Sequence, residues 1–472
     1  MDAITEPIRI ITNPKQKGYR PRTWIATAGV FILMAADGVR AGLGWWGWFI
    51  VFALVWAPAM VLLFRSNLRR LWGLIPLSLL ALHLLMLLSI LWSAYPFYTF
   101  RVLGLQFGLT LFGLFLVIRF DWRELLRIFA NVIRVILGAS ILFELYAGLI
   151  NKRIWPLVFD NPGHGVVHPS YYWSEANIFK GERIQGIVAN ANTLAAIAMV
   201  GVILFGVEHM IFGVARWVSW LSILLAAANI ALTKSAGIGF ALIAVLLAGV
   251  VSIAAEGKDR DTRHKYYRLA WTFSGIVLFF VLVYRQEVFT FIGKSPDMTG
   301  RSGIWKNVLA LVVERPLQGW GWVTYWIPGI KPFKGLGIVH GVEYYQSHNV
   351  YLEVLFQLGA IGLALFLALL AVAFVKAWRL AVRHTNPLYL WPILLLVGLM
   401  AQNLTESRMI VEIGWLYLVI ITVKVNEPLN ALEPVGRSPK RLKITPKPLR
   451  PFIFGKRFSS AKGEPNGLPT KE

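Results

Sequence analysis

One histidine in this sequence has the setting of a general base. His348 lies in Ser347-His348-Asn349, where a long polar stretch meets an apolar segment that begins near residue 350. An imidazole with an ordinary pKa of about 6.5 can accept a proton from a hydroxyl group at neutral pH. The unpaired N–H groups at a helix start favour a nearby anion and keep a histidine neutral, the form that a base requires. The structural alternative is an interfacial histidine whose neighbours satisfy it.

Three cations could bind an anionic substrate. Arg301, beside Ser302, can present a planar fork to phosphate oxygens. Arg183 precedes a short polar run, and Lys234 lies between two apolar runs. Each also has a structural alternative: a salt bridge with Asp297 for Arg301, and anchoring at a membrane surface for the other two.

The composition excludes an ordinary water-soluble enzyme. Of 472 residues, 57% are hydrophobic and 15% are charged, whereas soluble domains carry about 25% charged residues. The formal charge of +23 would suggest nucleic acid in a soluble protein, but here its distribution indicates membrane orientation and no nucleic-acid partner is expected. The absence of cysteine excludes disulfides, a thiol nucleophile and thiolate-bound metal.

The apolar runs predict an all-α polytopic membrane protein with about twelve transmembrane helices, since each run is nearly long enough to cross roughly 30 Å of hydrocarbon as a helix. The predicted spans lie near residues 24–40, 44–64, 72–92, 102–118, 130–149, 188–206, 217–233, 237–255, 269–284, 350–376, 388–404 and 409–424. Three regions follow: a cytoplasmic segment 1–23, a membrane domain 24–424, and a basic, Pro-rich tail 425–472. The tail is expected to be cytoplasmic and disordered, either solvated or held on anionic lipid.

Positive charge in the short loops predicts the orientation. Lys and Arg are concentrated in 1–23, 65–70, 119–127 and 258–268 and in the tail, which predicts that both termini are cytoplasmic. The segments 37–44, 93–101 and 405–408 are then short outer loops with little charge, and Asp37 is explained as a turn residue. Two long outer loops remain, near 150–187 and 285–349, and loops of this length are usually functional.

With this orientation, His348 and the three cations all reach the outer face. A base and three cations there match a lipid-linked diphosphate donor and a hydroxyl acceptor. Carboxylates inside spans are functional candidates by default, and they are Glu144, Glu353 and Glu412. Glu353 is expected to pair with a loop arginine. No phosphate-binding loop, dinucleotide motif or metal-spaced histidine pair is present, so neither a cofactor nor a metal is expected.

Several motifs of this chain are shared with one family of membrane enzymes. They are Arg183-Ile-Gln-Gly with Asn190 and Asn192, Asp297-x-Thr299-Gly300-Arg301-Ser302-x-x-Trp305, Pro316-Leu-x-Gly319-x-Gly321, Ser347-His348-Asn349-x-Tyr351-Leu352-Glu353 with Gln357-x-Gly359, and Leu91-Trp92-Ser93-x-x-Pro96. Over roughly residues 70–410 the sequence resembles the O-antigen ligase and polymerase superfamily of bacterial glycosyltransferases. The resemblance implies a twelve-helix fold with an outer-face site. It also implies transfer of a polysaccharide from undecaprenyl diphosphate to an acceptor sugar, without metal or nucleotide.

The resemblance also assigns roles to residues. The catalytic histidine of the family matches His348, its loop arginine matches Arg301, and an upstream arginine matches Arg183. Lys234, Ser302, Asn349 and Glu353 are expected to bind substrate. This chain departs from the family at Ser235-Ala236-Gly237, where many members have Ser-Arg-Gly. Lys234 is the nearest substitute for that arginine, without its bidentate fork.

The predicted function is therefore an O-antigen ligase-like, metal-independent, inverting glycosyltransferase in the bacterial plasma (inner) membrane, with its site on the periplasmic or extracellular face. Its partners would be an undecaprenyl-diphosphate-linked glycan, a lipid or glycan acceptor such as lipopolysaccharide core, and membrane lipids. The alternatives are a polymerase of lipid-linked repeats, a transporter of such glycans, and a peptidoglycan-type glycosyltransferase that would use an outer-loop acid such as Glu343.

Overall fold

The computed structural model of the chain describes residues 19–159, 168, 171–211, 213–283, 300–339, 341–384 and 386–428. All of them belong to one compact unit, Met1–Glu433, and the remaining unit, Pro434–Glu472, lies outside the described residues. Residues 425–428, the start of the predicted tail, are described, whereas the tail from residue 429 onward, with the disorder expected of it, falls outside this set. So do Asp297 and the first part of the second long loop, residues 284–299.

The described residues are mainly helical. The α-helices are α1 Tyr19–Met34, α2 Ala36–Phe64, α3 Leu68–Trp72, α4 Leu77–Leu88, α5 Pro96–Arg119, α6 Trp122–Leu149, α7 Ala191–Met210, α8 Arg216–Thr233, α9 Ala236–Ala255, α10 Arg260–Val283, α11 Arg301–Glu314, α12 Val350–Arg383, α13 Leu390–Gln402 and α14 Glu412–Lys424. Short 3₁₀ turns occupy Ser89–Leu91, Pro387–Tyr389 and Arg408–Ile410. Two strands, β1 Ile338–Val339 and β2 Val342–Glu343, pair as an antiparallel hairpin.

Seven of the described helices are long and apolar enough to cross a membrane: α2, α5, α6, α7, α8, α9 and α12. The segments Leu77–Leu91 and Pro387–Gln402 are shorter apolar helices. The helical, multi-pass character predicted from the sequence is thus confirmed. Each of the twelve predicted segments overlaps a helix, but the number twelve and the orientation stay predictions.

The segment 37–44, predicted as a short outer loop, is helical up to Gly44, and its place at the outer face stays a prediction. The chain turns at Ala35, and α2 then continues through this region with a kink at Gly44, whose φ is 71°. Glycine adopts a positive φ without the steric cost that a Cβ would bring, so Gly44 can break the helix and join its two parts at an angle. Asp37 therefore lies in the first turn of a helix.

A second kink, at Gly359 in α12, joins a loop to the membrane domain. Gly359 has a φ of 66°, and the break leaves carbonyl groups of the preceding turn free to accept other donors. The backbone N–H groups of Trp320 and Gly321 donate to Phe356 O and Gln357 O at 3.1 and 2.9 Å. A Cβ at Gly359 would lie 2.1 Å from Leu317 O. The shared motifs around Gly319 and Gly359 are thus two sides of one contact.

The second long loop is folded. Its described part carries α11 and the β1–β2 hairpin, and it has a small core of its own. That core consists of Ile304, Val308, Val323, Trp326, Phe333, Leu336 and Phe356. The Trp305 indole N–H donates to Ser347 O at 2.8 Å, so this folded loop holds the residue that precedes His348.

Candidate functional site

His348 immediately precedes the cap of α12. Asn349 is the N-cap, and its side chain accepts from Leu352 N at 3.0 Å. The Asn349 amide also donates to Leu404 O at 3.1 Å, which ties the start of α12 to the loop between α13 and α14. His348 itself has a φ of 54°, a backbone region that non-glycine residues rarely adopt and that is common at functional sites. Asn349, predicted to bind substrate, here positions the histidine.

Glu353 also supports the histidine loop. The side chain is fully buried and accepts three hydrogen bonds, from Ser347 N at 2.6 Å, Trp326 Nε1 at 2.7 Å and Gln357 Nε2 at 2.6 Å. The prediction that Glu353 pairs with a loop arginine is wrong, because these donors are a backbone amide, an indole and an amide. A buried carboxylate with three donors is satisfied in place, which does not fit the predicted contact with substrate.

The carboxylate of Glu406 joins the candidate residues. Its Oε2 lies 3.2 Å from His348 Nδ1, and its Oε1 accepts from Arg301 Nη2 at 2.8 Å and from Asn192 Nδ2 at 2.9 Å. Glu406 lies in the short loop that the sequence predicted to carry little charge. The sequence showed that Glu406 lies in a predicted outer loop. No motif or local spacing connects it with His348, 58 positions away, or with Arg301, 105 positions away.

The hydrogen bonds and neighbouring charges determine how His348 is protonated. Burial raises the pKa of Glu406, but the charges of His348, Arg301 and Arg408 outweigh burial and lower that pKa to about 2. An ionised carboxylate has no proton to donate. His348 Nδ1 must therefore carry the hydrogen of this bond, and in a neutral imidazole the lone pair is then on Nε2.

Arg183 reaches the same cluster through Asn192. Its Nη2 donates to Asn192 Oδ1 at 2.6 Å, and its Nε donates to Thr233 O at 2.9 Å. Burial lowers the pKa of Arg183, the Glu406 carboxylate raises it, and the positive charge of Arg301 lowers it again. The two arginines are thus close enough to affect each other. The structure brings His348, Arg301 and Arg183 together, while their catalytic roles stay predictions.

The other predicted substrate-binding residues do not join this cluster. The Lys234 ammonium group donates to the carbonyl of Gly181, so Lys234 is held by the first long loop. Its neighbour Ser235 donates to Asn192 Oδ1 at 3.2 Å and is the closer of the two to the site. Ser302 is exposed in the first turn of α11.

Tyr344 forms an aromatic wall beside the histidine. Its ring packs edge-on against His348 with a centroid separation of 5.1 Å. Burial raises the pKa of the Tyr344 hydroxyl, and the charge of Arg301 lowers it in part. No sequence motif pointed to this tyrosine. It offers a flat apolar face and a hydroxyl group, a combination suited to a sugar ring.

The two arginines of the site differ in their ion pairs. Arg301 pairs with Glu406, whereas no carboxylate of the described residues forms an ion pair with Arg183, and the negative charges that act on it, Glu406 and Glu175, lie further away. Glu406 and His348 are largely covered, with side chains 8% and 12% exposed, and Arg301 is 21% exposed. A partly covered arginine without an ion pair attracts an anion strongly, because water screens its charge less than it would a surface charge. Among the described residues, no three His, Asp or Glu side chains are grouped to hold a metal ion.

A second ionic cluster adjoins the first. It contains two carboxylates, Asp37 and Glu412, and two arginines, Arg40 and Arg408, so its charges balance. Arg40 pairs with Asp37 and Glu412, and Arg408 Nη2 lies 3.0 Å from Asp37 Oδ2. The explanation of Asp37 as a turn residue is therefore wrong: it is an ion-pair residue that fixes the Glu406 loop to α2. Glu412 belongs to the same cluster.

Glu144, the third of the carboxylates that the sequence placed inside spans, holds the first long loop. It accepts from Gln185 N at 3.0 Å, Gly186 N at 2.8 Å and Ser174 Oγ at 2.8 Å. These bonds fix the backbone two residues beyond Arg183. Glu144 therefore acts on the site through the loop that carries an arginine.

Comparison with known proteins gives a partial match. Residues 189–367, less than half of the chain, match the family model described as O-antigen ligase. This segment is similar to the O-antigen ligase family. The matched range includes His348, Arg301 and Asn192, whereas Arg183 and Glu406 lie outside it.

A curated relative gives a weaker likeness within the same field. It is the exopolysaccharide production protein ExoQ of Rhizobium meliloti (strain 1021), 29% identical over 85 residues, or 17% of this chain and 20% of that protein. The chain thus matches about one fifth of that relative's length.

Proposed function

We propose that this chain is an O-antigen ligase-like, metal-independent, inverting glycosyltransferase. It transfers a polysaccharide from undecaprenyl diphosphate to a sugar hydroxyl at the outer face of the bacterial plasma membrane. The observation that carries the proposal is the contact of His348 Nδ1 with an ionised Glu406 that also binds Arg301. One carboxylate thereby orients a base and places it beside an arginine.

In the proposed reaction, His348 Nε2 accepts the proton of the acceptor hydroxyl. The acceptor oxygen then attacks the anomeric carbon of the donor and forms the new glycosidic bond. The bond between that carbon and the phosphate oxygen breaks on the opposite side, and its electron pair leaves with undecaprenyl diphosphate. One displacement inverts the anomeric configuration. Glu406 stabilises the imidazolium that forms, as a carboxylate does when it accepts a hydrogen bond from the second ring nitrogen.

The arginines are proposed to bind the diphosphate. Guanidinium carries five N–H donors, and Arg301 uses its Nη2 on Glu406, so further donors are available to phosphate oxygens. Arg183 contributes a second positive charge nearby. Cations fixed before the substrate arrives stabilise the charge that grows on the leaving group, which is commonly the largest contribution to catalysis.

Reconstitution tests the proposal. The purified protein in liposomes receives an undecaprenyl-diphosphate-linked glycan, an acceptor lipid such as lipopolysaccharide core, and a chelator. A covalent glycan–acceptor product with inverted anomeric configuration is expected. Retention of configuration, or strict dependence on added metal, would contradict the mechanism. Movement of the donor across the bilayer without a covalent product would instead favour a transporter.

Polymerisation is the second candidate, favoured by the likeness to a protein named for exopolysaccharide production. The acceptor would then be the terminal sugar of another lipid-linked glycan, with the same donor and cations. Incubation with lipid-linked repeats alone separates the two reactions, because only a polymerase lengthens them. Inactivation by Glu343→Gln would instead favour a peptidoglycan-type enzyme that uses an outer-loop acid.

A further inference from the structure

A basic cavity lies at the end of the helices that is remote from His348. α12 begins beside His348 and continues to Arg383. Gly359 breaks this helix, and the part beyond the break, residues 360–383, is about 36 Å long at about 1.5 Å per residue. That distance exceeds the roughly 30 Å of a hydrocarbon core. The cavity thus lies at the opposite membrane surface, whichever side that is.

The cavity has a volume of about 390 Å³ and lies between α12, the α3–α4 connection and the end of α14. Its walls include Lys376, Arg379, Arg383, residues 73–76 and residues 425–427. The three cations are exposed and are spaced three and four positions apart, which places them on one helix face. The Asn426 side chain accepts from Lys376 and donates to Leu74 O at 2.7 Å, so two walls are fixed relative to each other.

The positive charge of this cavity is available to a ligand. Its lining carboxylate, Glu427, accepts from Lys424 Nζ at 3.0 Å and lies 3.8 Å from Arg70 Nη2. Glu427 is thus paired with Lys424 and Arg70, and not with the three cations that line the cavity. Within the described part of the chain, no carboxylate forms an ion pair with Arg379 or Arg383.

Exposed apolar side chains continue from the cavity toward the membrane interior. Val372, 40% exposed, lies one turn before Lys376 on the same face of α12. On α4, which packs against α12, Leu77, Leu80 and Leu84 follow from the cavity wall at Pro76, with Leu77 80% exposed. A soluble anion needs no such surface, whereas the acyl chains of a lipid do.

We propose that this cavity binds the phosphate headgroup of an anionic phospholipid, with the acyl chains lying along α4 and α12. Basic pockets between membrane helices recognise such headgroups through phosphate–guanidinium contacts. The site is separate from the proposed transfer reaction, so either proposal can fail without the other.

The test compares two triple variants of equal charge change. Lys376→Gln/Arg379→Gln/Arg383→Gln removes the cavity cations. Lys258→Gln/Lys265→Gln/Arg268→Gln removes three exposed cations that lie after α9 at the same end of the helices, outside the cavity. Native mass spectrometry of the full chain, titrated with phosphatidylglycerol or phosphatidylcholine in neutral detergent, measures the bound lipid.

Wild type and the control variant should retain phosphatidylglycerol, and the cavity variant should bind it at least about tenfold more weakly. Phosphatidylcholine should bind weakly to all three. Equal loss of phosphatidylglycerol binding in both triple variants would overturn the proposal, because it would indicate attraction by the overall positive charge of this surface rather than by the cavity. Displacement of the lipid by inorganic phosphate at equal concentration would also overturn it, because it would indicate a soluble anion. Arg383→Gln alone, at an exposed position, repeats the test if the triple variant does not fold.

Discussion

Two ionic clusters lie side by side on the loop between α13 and α14, and they differ in how their arginines are paired. The balanced cluster pairs Arg40 and Arg408 with Asp37 and Glu412. In the site cluster, Arg301 and His348 share the Glu406 carboxylate, and Arg183 forms no ion pair with a carboxylate of the described residues, although the charges of Glu406 and Glu175 act on it. Every arginine of the first cluster is paired without a ligand, whereas the second keeps one arginine without an ion pair.

The difference separates stability from function. Buried charges that pair in equal number offset their desolvation among themselves, and removal of one member leaves another uncompensated. A partly covered charge without an ion pair has a continuing cost to the fold, and it is retained where a ligand supplies the missing partner. The balanced cluster is therefore expected to control stability, and the site cluster to control transfer. The four predictions below test this division, from the largest expected effect to the smallest.

His348→Ala should reduce transfer by about 10²–10⁴-fold, the usual contribution of a general base. Glycan transfer in the reconstituted system measures it. His384→Ala is the matched control, because that histidine follows the opposite end of the same helix. The division fails if His348→Ala retains wild-type transfer or if both variants lose it equally.

Arg40→Gln should destabilise the fold by about 3–5 kcal/mol, because it leaves Asp37 and Glu412 with too few cations in a covered site. Arg301→Gln should change the melting temperature far less, since its side chain is 21% exposed and Glu406 keeps other donors. Thermal unfolding in detergent measures both. Equal loss of stability in the two variants would show that ion pairing does not distinguish the clusters.

Arg301→Lys keeps the charge but loses the planar fork. One charge-assisted hydrogen bond contributes about 1.5–3 kcal/mol, so transfer should fall by about ten- to a hundredfold. Arg101→Lys, at an exposed arginine of α5, is the control and should keep full activity. Unimpaired transfer by Arg301→Lys would mean that Arg301 does not bind the diphosphate through paired guanidinium hydrogen bonds.

Glu406→Gln should show its effect on stability only above a certain pH. The folded protein holds the pKa of Glu406 at about 2, below its ordinary value of 4.5. The wild-type carboxylate therefore stabilises the fold fully above about pH 4.5, and this contribution is lost as the pH falls toward 2. The difference in melting temperature between wild type and variant should shrink as the pH falls from about 5 toward 2. A difference that stays undiminished over this range would contradict the assignment.

The sequence predicted the helical segments well because each apolar run is long and local. It also indicated the loops that carry His348, Arg301 and Arg183. It did not indicate Glu406, Asn192 as a link, or Tyr344, because their roles depend on contacts between residues far apart in the chain. Asp37 and Glu353 were misread for the same reason: their partners come from distant loops or from backbone groups that no pattern of side chains reveals. Gly359 was visible as part of a motif. The sequence could not show that the break there frees the carbonyl groups of Phe356 and Gln357 to accept hydrogen bonds from the second long loop.

The interruption at Gly359 also has a mechanical consequence. Residues 316–321 hold the chain on both sides of the break: the N–H groups of Trp320 and Gly321 donate to Phe356 O and Gln357 O, and those of Ala360 and Ile361 donate to Pro316 O and Leu317 O. Val350, Val354 and Leu358 also pack in the main hydrophobic core. The break is therefore braced rather than hinged, and the imidazole is expected to keep its orientation when a long-chain polyprenyl carrier presses against the outer surface of α12.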